Sequence, residues 1–137
     1  IVCTKSNKLI MSVRDNNYLY YVDLNTNEKG RFNMNATGDE HVSFSAMHIQ
    51  LHPTDPEFIL VNTDRDRMIL YKMNNSNPVR NFWGASNDLY STPRCAWDNS
   101  GKYVYSTSQD HKIVCWDVST QSVVSKLEGH KNTVRDI

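Results

Sequence analysis

The chain has 137 residues, 39% of them hydrophobic and 22% charged, with 15 Lys and Arg against 15 Asp and Glu. Such balance argues against a basic nucleic-acid footprint and gives no signal of a membrane surface. No apolar run approaches the roughly 20 residues of a membrane helix, and Ile1-Val-Cys-Thr-Lys offers neither an initiator Met nor a signal-peptide pattern.

Taken in order, the chain reads as short strands punctuated by turn chemistry. Residues 1–6 look like the end of a strand and Leu9 to Arg14 like a second, divided by Lys5-Ser6-Asn7-Lys8. Asp15-Asn16-Asn17 turns into Tyr18 to Leu24, and Asn25 to Gly30 is strong turn chemistry, since Asn and Gly accept positive φ. Arg31 to Asn35 is a fourth strand. A polar loop, Ala36 to His41, leads to Phe44 to Leu51, a turn at His52-Pro-Thr-Asp-Pro56, then Phe58 to Thr63, Met68 to Met73 and Val79 to Trp83. Ile59, Val61, Met68 and Leu70 carry the apolar pattern of that unit. After the polar Gly84 to Thr92 come Pro93 to Trp97, a turn at Asp98-Asn-Ser-Gly101, and alternating residues through Tyr103, Tyr105, Thr107, Ile113 and Cys115. Ser122 to His130 follows a short polar turn, and Thr133 to Ile137 looks like one more strand. The runs are too short for helices, and β-branched and aromatic residues dominate them.

The last full unit is the most informative. Tyr103-Val-Tyr-Ser-Thr-Ser-Gln-Asp-His-Lys-Ile-Val-Cys-Trp-Asp117 followed by Gly129-His130 resembles the WD40 repeat: small-residue strand, Asp turn, Trp-Asp and Gly-His in that order. Val22-Asp23 and Tyr71-Lys72 stand where Trp116-Asp117 stands. They lie 49 positions apart, and Tyr71 and Trp116 lie 45 apart, near the 40–45-residue repeat with loop insertions. The resemblance implies an all-β fold of WD40-type β-propeller blades, each a four-stranded antiparallel sheet. We expect blades over residues 1–36, 43–84 and 93–128, with the start of another at 133–137. Three blades cannot close a ring of 4–8, so the chain is expected to be a stretch of a longer propeller.

By resemblance, Ser106 or Thr107, Asp110 and Trp116 belong to a buried hydrogen-bonded network with a Gly-His histidine, flanked by Asp117. The place for that histidine reads Trp83-Gly84-Ala85, so Gly129 and His130 serve the next blade. Asp110 then needs another donor. In the family one rim is formed by the turns between second and third strands and by the inter-blade connections. Mapped here, that rim holds Arg14, Asp15, Asn16, Arg65, Asp66, His111 and Asn87 to Tyr90, with Tyr90 the aromatic anchor. Trp83 is a candidate anchor on an outer strand. Each is equally at home as an ordinary solvated turn residue or, for Trp83, as packing on the neighbouring blade.

Catalytic and metal chemistry is not expected. His48 and His52, four apart on a strand, would stand roughly 13 Å from each other, and His111 and Cys115 fail the same test. No nucleophile elbow or phosphate-cradling glycine loop occurs, so no catalytic residue, metal or cofactor is assigned. Cys3, Cys95 and Cys115 have no paired spacing and read as buried or half-buried free thiols of a reducing, intracellular compartment, nuclear or cytoplasmic. Asn35-Ala-Thr and Asn74-Asn-Ser match the glycosylation sequon by composition alone.

The expected function is non-catalytic: a rigid scaffold binding other proteins or peptides in a multiprotein assembly, with no nucleic acid and no membrane, completed by the remaining blades. The alternatives are a propeller-scaffold enzyme with its site near Asp66 and Asp110, or a targeting domain of a larger protein. Ubiquitin-ligase receptors of the family often carry Arg two positions past Trp-Asp. Asn25, Asn74 and Ser119 occupy those places here, which weakens that version.

Overall fold

The computed structural model describes residues 1–73 and 75–137. Every regular element among them is a strand, and each of three sheets is a four-stranded antiparallel meander. The first contains β1 (Val2–Cys3), β2 (Lys8–Ser12), β3 (Tyr18–Asp23) and β4 (Lys29–Asn33). The second contains β5 (Ala46–Leu51), β6 (Phe58–Thr63), β7 (Arg67–Lys72) and β8 (Pro78–Trp83). The third contains β9 (Cys95–Trp97), β10 (Tyr103–Thr107), β11 (Ile113–Asp117) and β12 (Val123–Leu127). The sheets approach one another through their first and second strands, β1 and β2 with β5, then β5 and β6 with β9. The fourth strands lie at the far edges. This is the arrangement of propeller blades, and three of them leave the ring open.

Turn chemistry sets the boundaries. Asp23 ends β3 by accepting the N–H groups of Asn25 (2.9 Å) and Thr26 (3.2 Å), and Asn27 takes the left-handed φ of 62°. Asp117 repeats this at the end of β11, accepting from Ser119 (2.9 Å) and Thr120 (3.0 Å), with Gln121 at φ 61°. Two turns of one geometry, 94 positions apart, follow from Asp in the same place.

The middle sheet is covered on both faces, so β6 and β7 are buried along most of their length. Ile59, Val61, Ile69 and Tyr71 face the first sheet and pack with Ile10, Leu19, Met34 and Phe44. Leu60, Met68, Leu70 and Phe82 face the third sheet and pack with Cys95, Val104, Val114 and Trp116. Ile59 and Val61 therefore do not share a face with Met68 and Leu70, although all four belong to one apolar pattern. In an antiparallel pair the facing is set by register, here Leu60 opposite Leu70 and Val61 opposite Ile69, and a one-residue difference reverses it. Each fully buried large side chain contributes about 1.5–3 kcal/mol relative to exposure.

A register irregularity falls between Leu70 and Tyr71 in one sheet and between Cys115 and Trp116 in the next. Tyr71 and Trp116, equated by spacing, thus share a bulged position. The segment Thr133–Ile137 forms no strand. A strand is held by its neighbour's ladder, and among the described residues no second strand lies beside this one. The outer face of the first sheet, with Leu9, Met11, Tyr20 and Val22, is only half-buried, as are Tyr103, Tyr105 and Ile113 on the third.

Candidate functional site

The meander order brings two kinds of chain to one end of the sheets. The β2–β3, β6–β7 and β10–β11 turns meet the inter-sheet connections 34–45 and 84–94 there. Hydrogen bonds join these segments from sheet to sheet. Ser45 Oγ accepts the Asp15 N–H at 2.9 Å, while the Ser45 N–H donates to Asp64 Oδ1 at 2.7 Å. Asp66 Oδ1 accepts the Asn87 N–H at 2.7 Å. Gln109 donates its backbone N–H to Ser86 O (2.9 Å) and its side-chain Nε2 to Asp88 Oδ1 (2.9 Å). The Arg14 guanidinium reaches across to the carbonyl of Leu89, 75 positions away. The result is one continuous hydrogen-bonded rim.

The rim residues expected from sequence divide by exposure. Arg14, Asp15, Arg65, Asp66, Tyr90 and His111 are exposed, Tyr90 to 88%. Asn16 is half-buried and works inward, accepting from the Tyr18 N–H (2.8 Å) and donating to the Tyr20 hydroxyl (3.1 Å). Asp15 and His111 hold left-handed φ values of 56° and 66°, so each side chain is thrown clear at the tip of its turn. The geometry gathers Arg14 with Leu89 and Asp66 with Asn87. Leu89, 44% exposed beside Tyr90, adds an apolar side chain that the sequence reading did not single out.

The inner framework differs in detail from the one implied by resemblance. Asp110 stands exposed at its turn. The buried carboxylate is Asp64, 1% exposed and bonded to the Ser45 N–H. Ser106 Oγ accepts from Asn62 Nδ2 at 2.6 Å and donates to Thr107 O at 2.8 Å, while Thr107 Oγ1 accepts the Arg94 N–H at 2.9 Å. The Trp116 Nε1–H donates to Trp83 O at 2.8 Å. Tyr71 does the same one sheet earlier, its hydroxyl donating to Met34 O at 2.9 Å. Each side chain reaches back from a third strand to the carbonyl at the end of the preceding sheet, so equivalent positions perform equivalent work with different chemistry. Asp117 caps its own turn, and Gly129 and His130 are exposed. Trp83 is 57% exposed, its ring 5.4 Å from the Arg67 guanidinium, which also lies 4.8 Å over Phe44.

Sequence reasoning missed an inter-sheet pairing of titratable groups, His48 with Cys95, 47 positions apart. His48 Nδ1 accepts the Cys95 N–H at 3.1 Å and lies 3.3 Å from its sulfur. Burial pushes the Cys95 thiol far above its ordinary range, and burial, then the Arg94 charge, pushes His48 down. Both groups are held neutral, the opposite of an activated thiolate–imidazolium pair. His52 is turned to its own loop, its Nδ1 accepting the Asp55 N–H at 3.0 Å. Cys3, expected at least half-buried, is exposed because β1 is a two-residue edge strand; Cys95 and Cys115 are buried. Asn35 is buried, its amide donating to Asp39 Oδ1 at 3.0 Å. Asn74, in the second sequon and the middle-repeat counterpart of Asn25 and Ser119, lies outside the described residues.

The shifted carboxylates all move one way. Hydrogen bonds to the Tyr90 N–H and Ser91 hold Asp88 low, the Thr37 hydroxyl does so for Asp39, and turn donors do so for Asp23 and Asp117. Asp98 is also lowered, donors in its turn outweighing desolvation. At neutral pH these carboxylates are ionised and serve as acceptors in their turns.

Three antiparallel four-stranded sheets, laid side by side through their first strands and left open, fit a WD40 fold. No family model matches the chain. Over 62 residues, 41% of this chain, it is 34% identical to Polyadenylation factor subunit 2 of Neurospora crassa. The match spans 9% of the length of that relative.

Proposed function

We propose that this protein is a non-catalytic scaffold whose turn-built rim binds a partner protein inside a multiprotein assembly. The observation that carries the reading is the cross-bonded rim: turns from all three sheets are joined into one rigid edge. Tyr90, Leu89, Arg14 and Arg65 project from it. Aromatic and Arg side chains on a rigid scaffold are efficient anchors, because little conformational entropy is lost on binding. The lowered carboxylates support binding over proton-transfer chemistry, which calls for groups poised near neutral pH. The similarity to a factor subunit is in keeping with an assembly in the nucleus or cytoplasm. The half-buried outer faces of the first and third sheets are where further blades pack.

Site-specific photo-crosslinking tests this. A benzoylphenylalanine replacing Arg65 or Tyr90 in the intact protein should capture the same protein partner in cells, whereas replacement of Asn25 or Glu28, on the β3–β4 turn at the opposite end, should not. Equal capture from both ends, or none from the rim, would refute the proposal.

A further inference from the structure

A second concavity lies away from the rim. It is a groove of about 440 Å³ at the opposite end, between the second and third sheets, within the size range of ligand pockets. Both of its walls belong to this chain, so its shape does not depend on further blades. Phe58, Leu70, Val79 and Val118 form an apolar floor. Towards the first strands it is bounded by His52, whose ring stands edge-on to Trp97 at 4.5 Å. Towards the fourth strands the Asn81 N–H donates to Gln121 Oε1 at 3.0 Å and ties the sheets together. Gly101 is required at the wall: its φ is +74°, and a Cβ there would lie 2.6 Å from the His52 ring.

The groove is lined by two cations and two carboxylates, and they differ in commitment. Asp117 accepts from Ser119 N (2.9 Å), Thr120 N (3.0 Å) and Ser119 Oγ (2.6 Å). Asp55 accepts the Glu57 N–H at 3.0 Å. Both carboxylates are thus satisfied by their own turns. Arg80 sends one N–H to the neighbouring Val79 carbonyl at 2.9 Å, and among the described residues neither Arg80 nor Lys102 is in an ion pair. An apolar floor beneath two available cations is complementary to an aliphatic side chain next to a carboxylate.

We propose that this groove binds an extended acidic segment of a partner protein, one aliphatic side chain seated on Phe58, Leu70, Val79 and Val118 and a neighbouring carboxylate met by Arg80 and Lys102. It stands independently of the rim, at the other end of the sheets, so the scaffold can hold two partners at once.

The test uses fluorescence anisotropy of the full-length protein with two labelled peptides, Gly-Ser-Leu-Asp-Glu-Ser-Gly and the same sequence with Lys for Asp and Glu. The acidic peptide should bind at least ~10-fold more tightly. Lys102→Glu, an exposed turn substitution, should weaken it by about 3-fold or more, and Arg80→Glu with Lys102→Glu should abolish the preference or reverse it. Replacing the peptide Leu by Ser should remove binding, and Tyr90→Ala on the rim should leave it unchanged. Equal binding of the two peptides, no binding at millimolar concentration, or indifference to Lys102→Glu and to the double change would each overturn the proposal.

Discussion

Tyr71 offers the sharpest test of how the sheets are joined. It is fully buried, its hydroxyl donates to Met34 O at 2.9 Å, and its ring meets Phe32 edge-on at 5.6 Å. Tyr71→Phe keeps the ring and removes only the donor, leaving the Met34 carbonyl without that partner. Such a loss costs about 1–3 kcal/mol. With a urea m-value of about 2 kcal/mol/M, the unfolding midpoint should fall by roughly 0.5–1.5 M. Alkali provides an independent check. Burial raises the Tyr71 pKa from 10.0 to about 12, so the folded state favours the neutral phenol. Its stabilisation is fully present below pH 10 and is lost as pH rises towards 12. Linkage puts the loss at about 1.4 kcal/mol by pH 11, and Phe, which cannot ionise, escapes it. The gap between the two proteins should therefore narrow by about that amount from pH 7 to pH 11. A midpoint change below about 0.2 M at neutral pH would refute the inter-sheet hydrogen bond, and a gap that stays constant into alkali would refute the burial of the phenol.

Trp116→Phe should lower the thermal midpoint more than Trp83→Ala does. The first removes the Nε1–H bond to Trp83 O and opens space in a fully buried site, about 2–4 kcal/mol. The second trims a largely exposed ring, and its cost should stay near 1 kcal/mol. Gly101→Ala and Gly38→Ala form a matched pair in urea unfolding. Both have positive φ, +74° and +71°, but an added Cβ collides with His52 only at position 101 and meets nothing within 4 Å at position 38. Gly38→Ala should cost about 1 kcal/mol and Gly101→Ala about 1–2 kcal/mol more. Thiol titration with a disulfide reagent should find Cys3 reacting at once in the native protein, with Cys95 and Cys115 reacting only on unfolding, since both are buried and their thiols are shifted upward.

What could be read from sequence was local. Alternating residues and turn chemistry place ten of the twelve strands to within about two residues, and Asp23 and Asp117 foretell matching turns because an Asx cap needs only its own next few residues. The facing of β6 and β7 was not legible. With both faces buried, Ile59-Leu60-Val61 is a continuous apolar run that carries no period, so only pairing decides which side chain enters which core. Nor was the framework legible. Asn62 reaches Ser106 across 44 positions and Tyr71 reaches Met34 across 37, separations at which a single sequence holds no signal. Asp64, followed by Arg65 and Asp66, could not be told from its neighbours as the one that turns inward. On the rim the turn tips lie at one end of the sheets, and Leu89 and the Asn87 N–H join them from a connection with no regular structure.

The two ends of the sheets differ because their turns spend hydrogen bonds differently. At the groove end Asp23, Asp55, Asp98 and Asp117 each accept donors from their own turn. Those turns are satisfied alone, and the bond from Asn81 to Gln121 is the link tying the second sheet to the third across the groove's outer side. At the rim Asp64 and Asp66 accept from neighbouring segments, Ser45 and Asn87, and Asp88 adds the Gln109 side chain to the donors of its own loop. Self-capped turns leave a gap between sheets that water or a ligand can enter; cross-bonded turns close it and stiffen the edge. A stiff edge presents anchors at low entropic cost, whereas an open gap with an apolar floor gains by being filled. One blade pattern repeated three times thereby yields two surfaces of opposite character, and the difference at each turn lies in whether its carboxylate also reaches a donor beyond its own loop.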